Sequence, residues 1–272
     1  MSGTVGQNIL LNLGQMDELA RLESPIHRLD ARVKVLTTIV FLVCVVSFPK
    51  YTVSALIPFF LYPFYLMTAA HVPAGLLLRR LAAVSPLAVL LGIWNPLLDR
   101  QAVLSVGFLS VSGGWLSFCS ILLRFGLTVG SVLILLATTG LEGVCAALEK
   151  IKIPRIFVLQ ILFLYRYLFV LMEEAARMLR ARSLRSFGGR GTGLLSFRGM
   201  AGSLLLRTFE RAERISQAMY CRAFEGRIPT KQVFQISRQD VLFFFFWTVF
   251  FIIFRWVNPA AIWGRFLEGI TG

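Results

Sequence analysis

Five long apolar runs limit the possible folds of this chain more than any other feature. They occupy residues 35–48, 52–70, 81–98, 115–138 and 241–257. A helix that crosses the ~30 Å hydrocarbon core of a bilayer needs about 20 mostly apolar residues. Because backbone polar groups in hydrocarbon must pair within the protein, runs of this kind favour membrane-spanning helices. The sequence therefore predicts an all-α membrane protein with about five transmembrane helices.

The overall composition supports this class and argues against a soluble one. Hydrophobic residues make up 57% of the chain and charged residues only 15%, whereas soluble domains average about 25% charged residues. The formal net charge is nevertheless +14. A nucleic-acid-binding protein would also be basic, but it would not carry the apolar runs. We therefore expect the bilayer to be the surroundings of the chain, and we expect no nucleic-acid partner.

The positions of the cations between the apolar runs predict the orientation. If the N-terminus is cytoplasmic, the outer segments hold only Lys50, Arg100 and Arg265. The remaining cations, including Arg79, Arg80 and those in 150–238, then lie in the cytoplasm. Cytoplasmic segments of membrane proteins carry an excess of Lys and Arg. The sequence thus predicts a multi-pass protein of the bacterial inner membrane with a cytoplasmic N-terminus and an external C-terminus.

A sixth apolar stretch, 153–172, is predicted to lie on the membrane surface. It contains or borders Arg155, Arg166 and Glu173. If it crossed the bilayer, the arginine-rich segment 177–238 would be external, against the charge rule. An amphipathic helix in the interface avoids that conflict. Two cations lie at or within the predicted spans, Lys34 and Arg124. We expect the Lys34 side chain to reach towards the interface, and Arg124 either to do the same or to meet a partner.

The chain accordingly divides into four parts. These are a cytoplasmic N-terminal segment at 1–32, a four-span region at 33–140, a cytoplasmic coupling region at 141–238, and a last span with its tail at 239–272. Within the third part we expect a long helix, then a glycine-rich flexible linker at 186–202, then a second helix at 203–223. Gly226 and Pro229 end that second helix.

Residues of a catalytic or metal site are not apparent. The four aspartates lie far apart in the sequence, as do the two histidines and the four cysteines, and no phosphate-binding motif of the GK[ST] type is present. We therefore predict no catalytic residue, metal ligand or cofactor. Two functional classes stay open at this point. One is an enzyme, a lipid-linked transferase, and the other is a basic, membrane-anchored protein that binds RNA or lipid electrostatically.

Two short segments place an arginine between small residues near the ends of the two predicted coupling helices. They are Ala181-Arg182-Ser183 and Cys221-Arg222-Ala223. Small neighbours leave a guanidinium free to enter a groove on another protein and donate a planar set of hydrogen bonds. The same pattern would also arise from solvated arginines without a partner, because a cation is stabilised at the carbonyl end of a helix.

These segments resemble the two small-Arg-small motifs of the T component of energy-coupling-factor (ECF) transporters. The run 24–34, SPIHRLDARVK, is similar to that family's lead into its first span and favours the cobalt-type, CbiQ-like branch. The similarity extends over about 24–229. The chain departs from the family's usual pattern at Ala223, where glycine is usual, and at Ala31, where proline is usual.

The resemblance implies a non-catalytic coupling subunit of an ABC importer. ATP would be hydrolysed by two CbiO-like ATPases, which would dock on Ala181, Arg182, Ser183, Cys221, Arg222 and Ala223. A CbiM-like substrate-binding membrane subunit would pack on 153–172, with a small CbiN-like subunit as a further partner. Cobalt uptake for cobalamin biosynthesis is the implied role. Nickel and vitamin uptake are the alternatives.

Overall fold

The computed structural model of the chain describes residues 24, 26–49, 53–95, 102–106, 109–185, 194–226 and 236–256. The chain forms two compact units. One, which we call the bundle unit, comprises Leu19–Ala147 and Val233–Gly272. The other, the two-helix unit, comprises Met1–Glu18 and Leu148–Gln232.

Helices account for nearly all of the described secondary structure. In chain order these are α1 (Ala31–Val46), a 3₁₀ helix (Ser54–Phe60), α2 (Leu61–Ala69), α3 (Ala74–Gly92), α4 (Gly113–Lys150), α5 (Arg155–Arg185), α6 (Leu194–Cys221) and α7 (Arg238–Trp256). The predicted all-α membrane class is confirmed. One element was not predicted, an antiparallel hairpin of β1 (Ala102–Val106) and β2 (Leu109–Ser112) between α3 and α4.

Four described helices are long and apolar enough to cross a membrane, namely α3, α4, α5 and α7. Helices α4 and α7 coincide with predicted spans. Helix α3 overlaps the predicted span 81–98 only at 81–92, and it contains Arg79 and Arg80, which the prediction placed in a cytoplasmic segment. The fourth, α5, contains the stretch 153–172, for which the prediction of a surface position rests on charge and stays a prediction.

The first two predicted spans form shorter elements. Helix α1 has 16 residues, about 24 Å at ~1.5 Å per residue. The second run begins as a 3₁₀ helix that contains Pro58 and continues as α2, with Pro63 in its first turn. Proline is tolerated in a first turn because the N–H that it lacks would be unpaired there. A 3₁₀ helix rises ~2.0 Å per residue, so the two pieces together extend about 27 Å, close to the ~30 Å core.

Aromatic side chains form the core of the bundle unit. Phe41 of α1, Phe59 of the 3₁₀ helix, Tyr62 of α2 and Phe251 of α7 are each at most 1% exposed. Their rings meet in pairs at centroid distances of 4.8–6.1 Å. The Tyr62 hydroxyl is paired with the Thr38 hydroxyl at 3.0 Å, so the ring's polar end is satisfied inside the core.

A buried polar cluster lies beside this core, and the sequence did not reveal it. Asp30 is the N-cap of α1 and accepts a hydrogen bond from the Arg32 N–H at 2.9 Å. The Asp30 N–H donates to Asp240 Oδ1 at 3.0 Å, and the Ser237 N–H donates to Asp240 Oδ2 at 2.7 Å. Asp240, only 2% exposed, therefore caps α7 and also holds the start of α1. Asp30 and Asp240 are 210 positions apart in the sequence, and the fold brings them together.

Lys34 completes the cluster, and its side chain is enclosed by the protein and does not extend outward as predicted. Its side chain is buried, with the residue 4% exposed. Its ammonium group donates to the backbone carbonyl of Thr138 at 3.1 Å. The carboxylates of Asp30 and Asp240 attract the same charge. A buried cation of this kind needs both a charge partner and a hydrogen-bond acceptor, and the fold supplies both.

The C-terminal end of α1 is bound by two arginines from other helices. Arg124 of α4 donates to the Pro49 carbonyl. Arg255 of α7 donates to the Ser47 carbonyl at 3.0 Å and lies over the Phe48 ring at 4.7 Å. Cations stabilise the carbonyl end of a helix because they oppose its partial negative charge. Arg124 thus has a partner within the chain and does not simply extend towards the interface.

Helix α4 is broken at Gly140, where φ is 69° and ψ is 160°. This region of backbone space is essentially restricted to glycine. The break falls at the end of the predicted fourth span.

In the two-helix unit, the predicted flexible linker is shorter than expected. Residues 194–202 belong to α6, so only 186–193 remain between the helices, and these lie outside the described residues. An added Cβ at Gly199 or Gly202 would meet nothing within 4 Å. Each glycine costs a helix roughly 1 kcal/mol relative to alanine. Apolar residues at 194, 195, 197 and 200 give the segment a helical pattern that the glycine count obscured.

Candidate functional site

The first small-Arg-small segment lies in the last turn of α5. Ala181 and Ser183 are exposed, whereas Arg182 is half-buried. Its Nη1 donates to the sulfur of Met200 on α6 at 3.2 Å. Its Nη2 is buried and has no hydrogen-bond partner among the described residues. A thioether is a weak acceptor, so the guanidinium remains poorly satisfied within the chain.

This geometry differs from the expected one in a single respect. The sequence predicted an unshielded guanidinium, whereas α6 covers one side of Arg182 and leaves it half-buried. The sequence spacing gave no sign that Met200 would lie there, because the two residues belong to different helices. The arginine is thereby held in one orientation by α6 and does not extend freely into solvent.

The second segment ends α6. Cys221 is the last helical residue, and Arg222 and Ala223 follow it, all three exposed. The Ala223 N–H donates to the Tyr220 carbonyl at 3.0 Å, and the Phe224 N–H donates to the Met219 carbonyl at 3.0 Å. This pair of bonds is the Schellman motif, with Arg222 at the C-cap. The backbone therefore fixes Arg222 at the carbonyl end of the helix, where a cation is favoured.

Ala223 has the backbone conformation that this motif requires, with φ of 49°. An L-residue in this left-handed region costs roughly 1–2 kcal/mol, whereas glycine has no such cost. The position is also the one at which the resembling family usually has glycine. Alanine is therefore accommodated here with some strain.

We expect Ala223→Gly to raise the free energy of unfolding by about 1 kcal/mol, because it removes that strain. Thermal unfolding in detergent, followed by circular dichroism, would measure the change. Ala201→Gly is the matched control, since Ala201 is exposed within α6 and glycine there should cost roughly 1 kcal/mol. Equal destabilisation by both changes would contradict the assigned conformation of Ala223.

An ion-pair network joins α5 to α6 at Glu174, on the N-terminal side of the first small-Arg-small segment. Glu174 of α5 accepts hydrogen bonds from Arg177 and from Arg207 of α6, each at 2.7 Å. Hydrogen bonds from these two guanidinium groups hold the pKa of Glu174 below its usual value. The link should therefore be present above the ordinary glutamate pKa and be lost only as the pH falls through the lowered one. The arginine side chains are more than half exposed, so the network contributes little stability.

An apolar groove lies between the same two helices. It encloses about 300 Å³ and is lined on α5 by Phe163, Tyr167 and Val170 and on α6 by Ile215 and Met219. Several large apolar side chains along α5 are also exposed, among them Ile156, Phe157 and Leu164. Exposed apolar surface of this extent marks an interaction site for protein or lipid.

Comparison with known proteins assigns the chain to a family. The family model described as CbiQ, cobalt transport protein, matches residues 23–234. The chain belongs to this family. The match includes the N-terminal run and both small-Arg-small segments, and with the four long apolar helices it establishes a multi-pass membrane protein.

Several individual proteins are also similar to the chain. An uncharacterised protein of Methanocaldococcus jannaschii is 30% identical over 50% of the chain and 53% of its own length. A putative fused cobalt transport protein CbiMQ of Methanocorpusculum labreanum is 34% identical over 35% of the chain and 16% of its own length. The ECF transporter transmembrane protein EcfT of Bacillus subtilis is 27% identical over 75% of the chain and 82% of its own length. The chain thus spans about half of the first relative's length and much less of the second.

Proposed function

We propose that this CbiQ-family chain is the coupling subunit of an ECF-type ABC importer. It would transmit the ATP-driven motion of two ABC ATPases to a membrane subunit that binds the substrate. The observation that supports this most is the state of the two arginines. Arg182 is held by α6 with a guanidinium nitrogen unpaired, and Arg222 is fixed at an exposed helix end. Arg222 is therefore open to an acceptor on another protein, and the Arg182 guanidinium, whose Nη2 is buried, would turn away from Met200 to reach one.

Each arginine would dock in a groove of one ATPase through charge-assisted hydrogen bonds. Closure of the ATPase pair around ATP would then move α5 and α6, and rigid-body movement at interfaces is a common way of transmitting such a change. The apolar groove and the exposed apolar face of α5 would receive the substrate-binding subunit. The chain itself would make or break no bond.

Cobalt is the proposed substrate, with a CbiM-like binding subunit, CbiO-like ATPases and a small CbiN-like subunit as partners. The family description supports the metal, and the name of the fused M. labreanum relative supports the pairing with a CbiM part. Nickel and a vitamin are the alternatives. Uptake of radioactive cobalt into proteoliposomes that contain the complete complex, with nickel as competitor, would decide between the metals.

Co-purification tests the proposal as a whole. The tagged chain, isolated in mild detergent from its own host, should elute with two copies of ATPase and one membrane subunit. Elution of the chain without an ATPase would contradict the proposal. Association with RNA that is lost steeply as salt rises would favour the electrostatic binding class instead.

The topology also follows from the proposal, since the docking segments must face the ATPases. In a background without the four native cysteines, a cysteine at Gly191 should react only with reagent on the cytoplasmic side. One at Trp115 should react only from outside. Residue 191 lies outside the described residues, and Trp115 is exposed near the start of α4, whereas Gly113 is buried. External labelling at 191 would make α5 a transmembrane helix and would contradict the cytoplasmic position of Arg182.

A further inference from the structure

The N-terminal run 24–34 contains a buried lysine whose role is not explained by docking or by the membrane spans. Lys34 lies in the first turn of α1, and only 4% of it is exposed. A lysine retained in such surroundings needs a polar task, since burial of an unpaired ammonium is very costly.

The acceptor of Lys34 identifies that task. Its ammonium donates to the Thr138 carbonyl at 3.1 Å, two residues before the break in α4 at Gly140. A break in a helix leaves the carbonyls of the preceding turn without their intrahelical donors. The Thr138 hydroxyl cannot substitute, because it bonds back to the Ile134 carbonyl at 2.9 Å. Lys34 thus satisfies a carbonyl exposed by the kink.

We infer that Lys34 is the positioning residue for the kink in α4, held in place by the Asp30–Asp240 pair. Asp240 fixes the start of α1 through the Asp30 N–H, and Lys34 follows one turn later. The contacts of the N-terminal run therefore fix the direction in which α4 continues beyond Gly140. Helix α4 continues beyond Gly140 to Lys150. Loss of the kink would impair coupling, a step that rests on the proposed function.

The experiment measures the kink directly. Spin labels at Cys119 and at a cysteine that replaces Lys150, both exposed positions of α4, report the length of the helix in nanodiscs. The other native cysteines are replaced. An unbroken helix between the two sites would span about 46 Å. With Lys34 we expect a narrow distribution of distances between the labels, centred below that value. Lys34→Met keeps the side-chain volume but removes the donors. Its distribution should be broader and should extend towards the distance of the unbroken helix.

Two further variants separate this role from general stability. Thr37→Val is the matched control, because Thr37 is also buried in α1 and its hydroxyl donates to the Val33 carbonyl of the same helix. It should leave the distance unchanged. Gly140→Ala disfavours the kink because alanine is strained in the backbone conformation of residue 140. It should broaden the distribution of distances as Lys34→Met does. The double variant should be no worse than the more affected single one, since both act on one structure.

In the complete transporter, Lys34→Met should lower substrate uptake about tenfold while ATPase binding stays within about twofold of wild type. A narrow, wild-type distance distribution in Lys34→Met, or full additivity with Gly140→Ala, would overturn the inference. If Lys34→Met did not fold, Gly140→Ala in the native background would decide, since a wild-type distance there would also overturn it. Failure of any ATPase to bind the wild-type chain would instead refute the proposed function, and the distance measurement would still test Lys34.

Discussion

Replacement of Asp240 with alanine is expected to lower the free energy of unfolding by roughly 3–6 kcal/mol. The carboxylate accepts two backbone N–H groups, those of Asp30 and Ser237, at 3.0 and 2.7 Å in a buried site. Each hydrogen bond to a charged group contributes about 1.5–3 kcal/mol. Loss of both would also leave Lys34 near a single carboxylate, that of Asp30. The variant should unfold at a much lower temperature in detergent, or fail to elute as a single species.

Asp240→Asn makes this expectation specific. The asparagine oxygen can still accept one N–H, but its amide nitrogen would face the other donor, so about half of the loss should remain. Glu213→Ala, an exposed change on α6, should have almost no effect. An Asp240→Ala protein as stable as the Glu213→Ala protein would show that the cluster does not hold α1 to α7.

The second large effect is expected at the docking arginines. Arg182→Ala or Arg222→Ala should each weaken ATPase binding about tenfold or more, since a charged hydrogen bond contributes about 1.5–3 kcal/mol and 1.4 kcal/mol is tenfold. Lysine should restore little, because it cannot reproduce the planar arrangement of donors. The double variant should abolish ATP-dependent uptake in membranes that contain equal amounts of protein.

Neighbouring cations provide the controls for this expectation. Arg180 and Arg185 lie on the same helix and are exposed. The Ser183 hydroxyl donates to the backbone carbonyl of Arg180, so truncation of the Arg180 side chain leaves that bond intact. Alanine at either control position should therefore be tolerated. If these changes were as harmful as Arg182→Ala, the effect would be one of general positive charge.

The membrane class and the long helices could be predicted from the sequence because they depend on local patterns. Apolar runs of the required length predicted the C-terminal part of α3, the first part of α4, and α7. The charges beside 153–172 drew attention to α5, although length and composition alone would also allow it to span a membrane. The helical start of α6 was missed, since glycine content is a weak indicator when apolar residues recur at helical spacing.

The buried cluster could not be predicted in the same way. Asp30 and Asp240 are far apart in the sequence, and a lone aspartate before a helix indicates only a cap. Lys34 at the edge of an apolar run is more often an interfacial lysine. Its true acceptor is a backbone carbonyl, which leaves no signature in the side-chain sequence.

The candidate site was predicted in part. The small-Arg-small spacing identified Arg182 and Arg222, whose docking role stays a proposal. The contact of Arg182 with Met200 depends on how α5 and α6 pack. One sign of the left-handed conformation of Ala223 is present in the sequence, namely that the family the chain resembles usually has glycine at this position. Side-chain chemistry was thus accessible from the sequence, whereas orientation was not.

The most direct test of the account is the affinity of the purified ATPase pair for the chain in nanodiscs, compared among wild type, Arg182→Ala/Arg222→Ala and Arg180→Ala. We expect wild type and Arg180→Ala to bind equally well, and the double variant to bind about a hundredfold more weakly if two independent sites each lose about tenfold. Undiminished binding by the double variant, while Arg180→Ala also binds normally, would contradict the claim that these two arginines couple the chain to its ATPases.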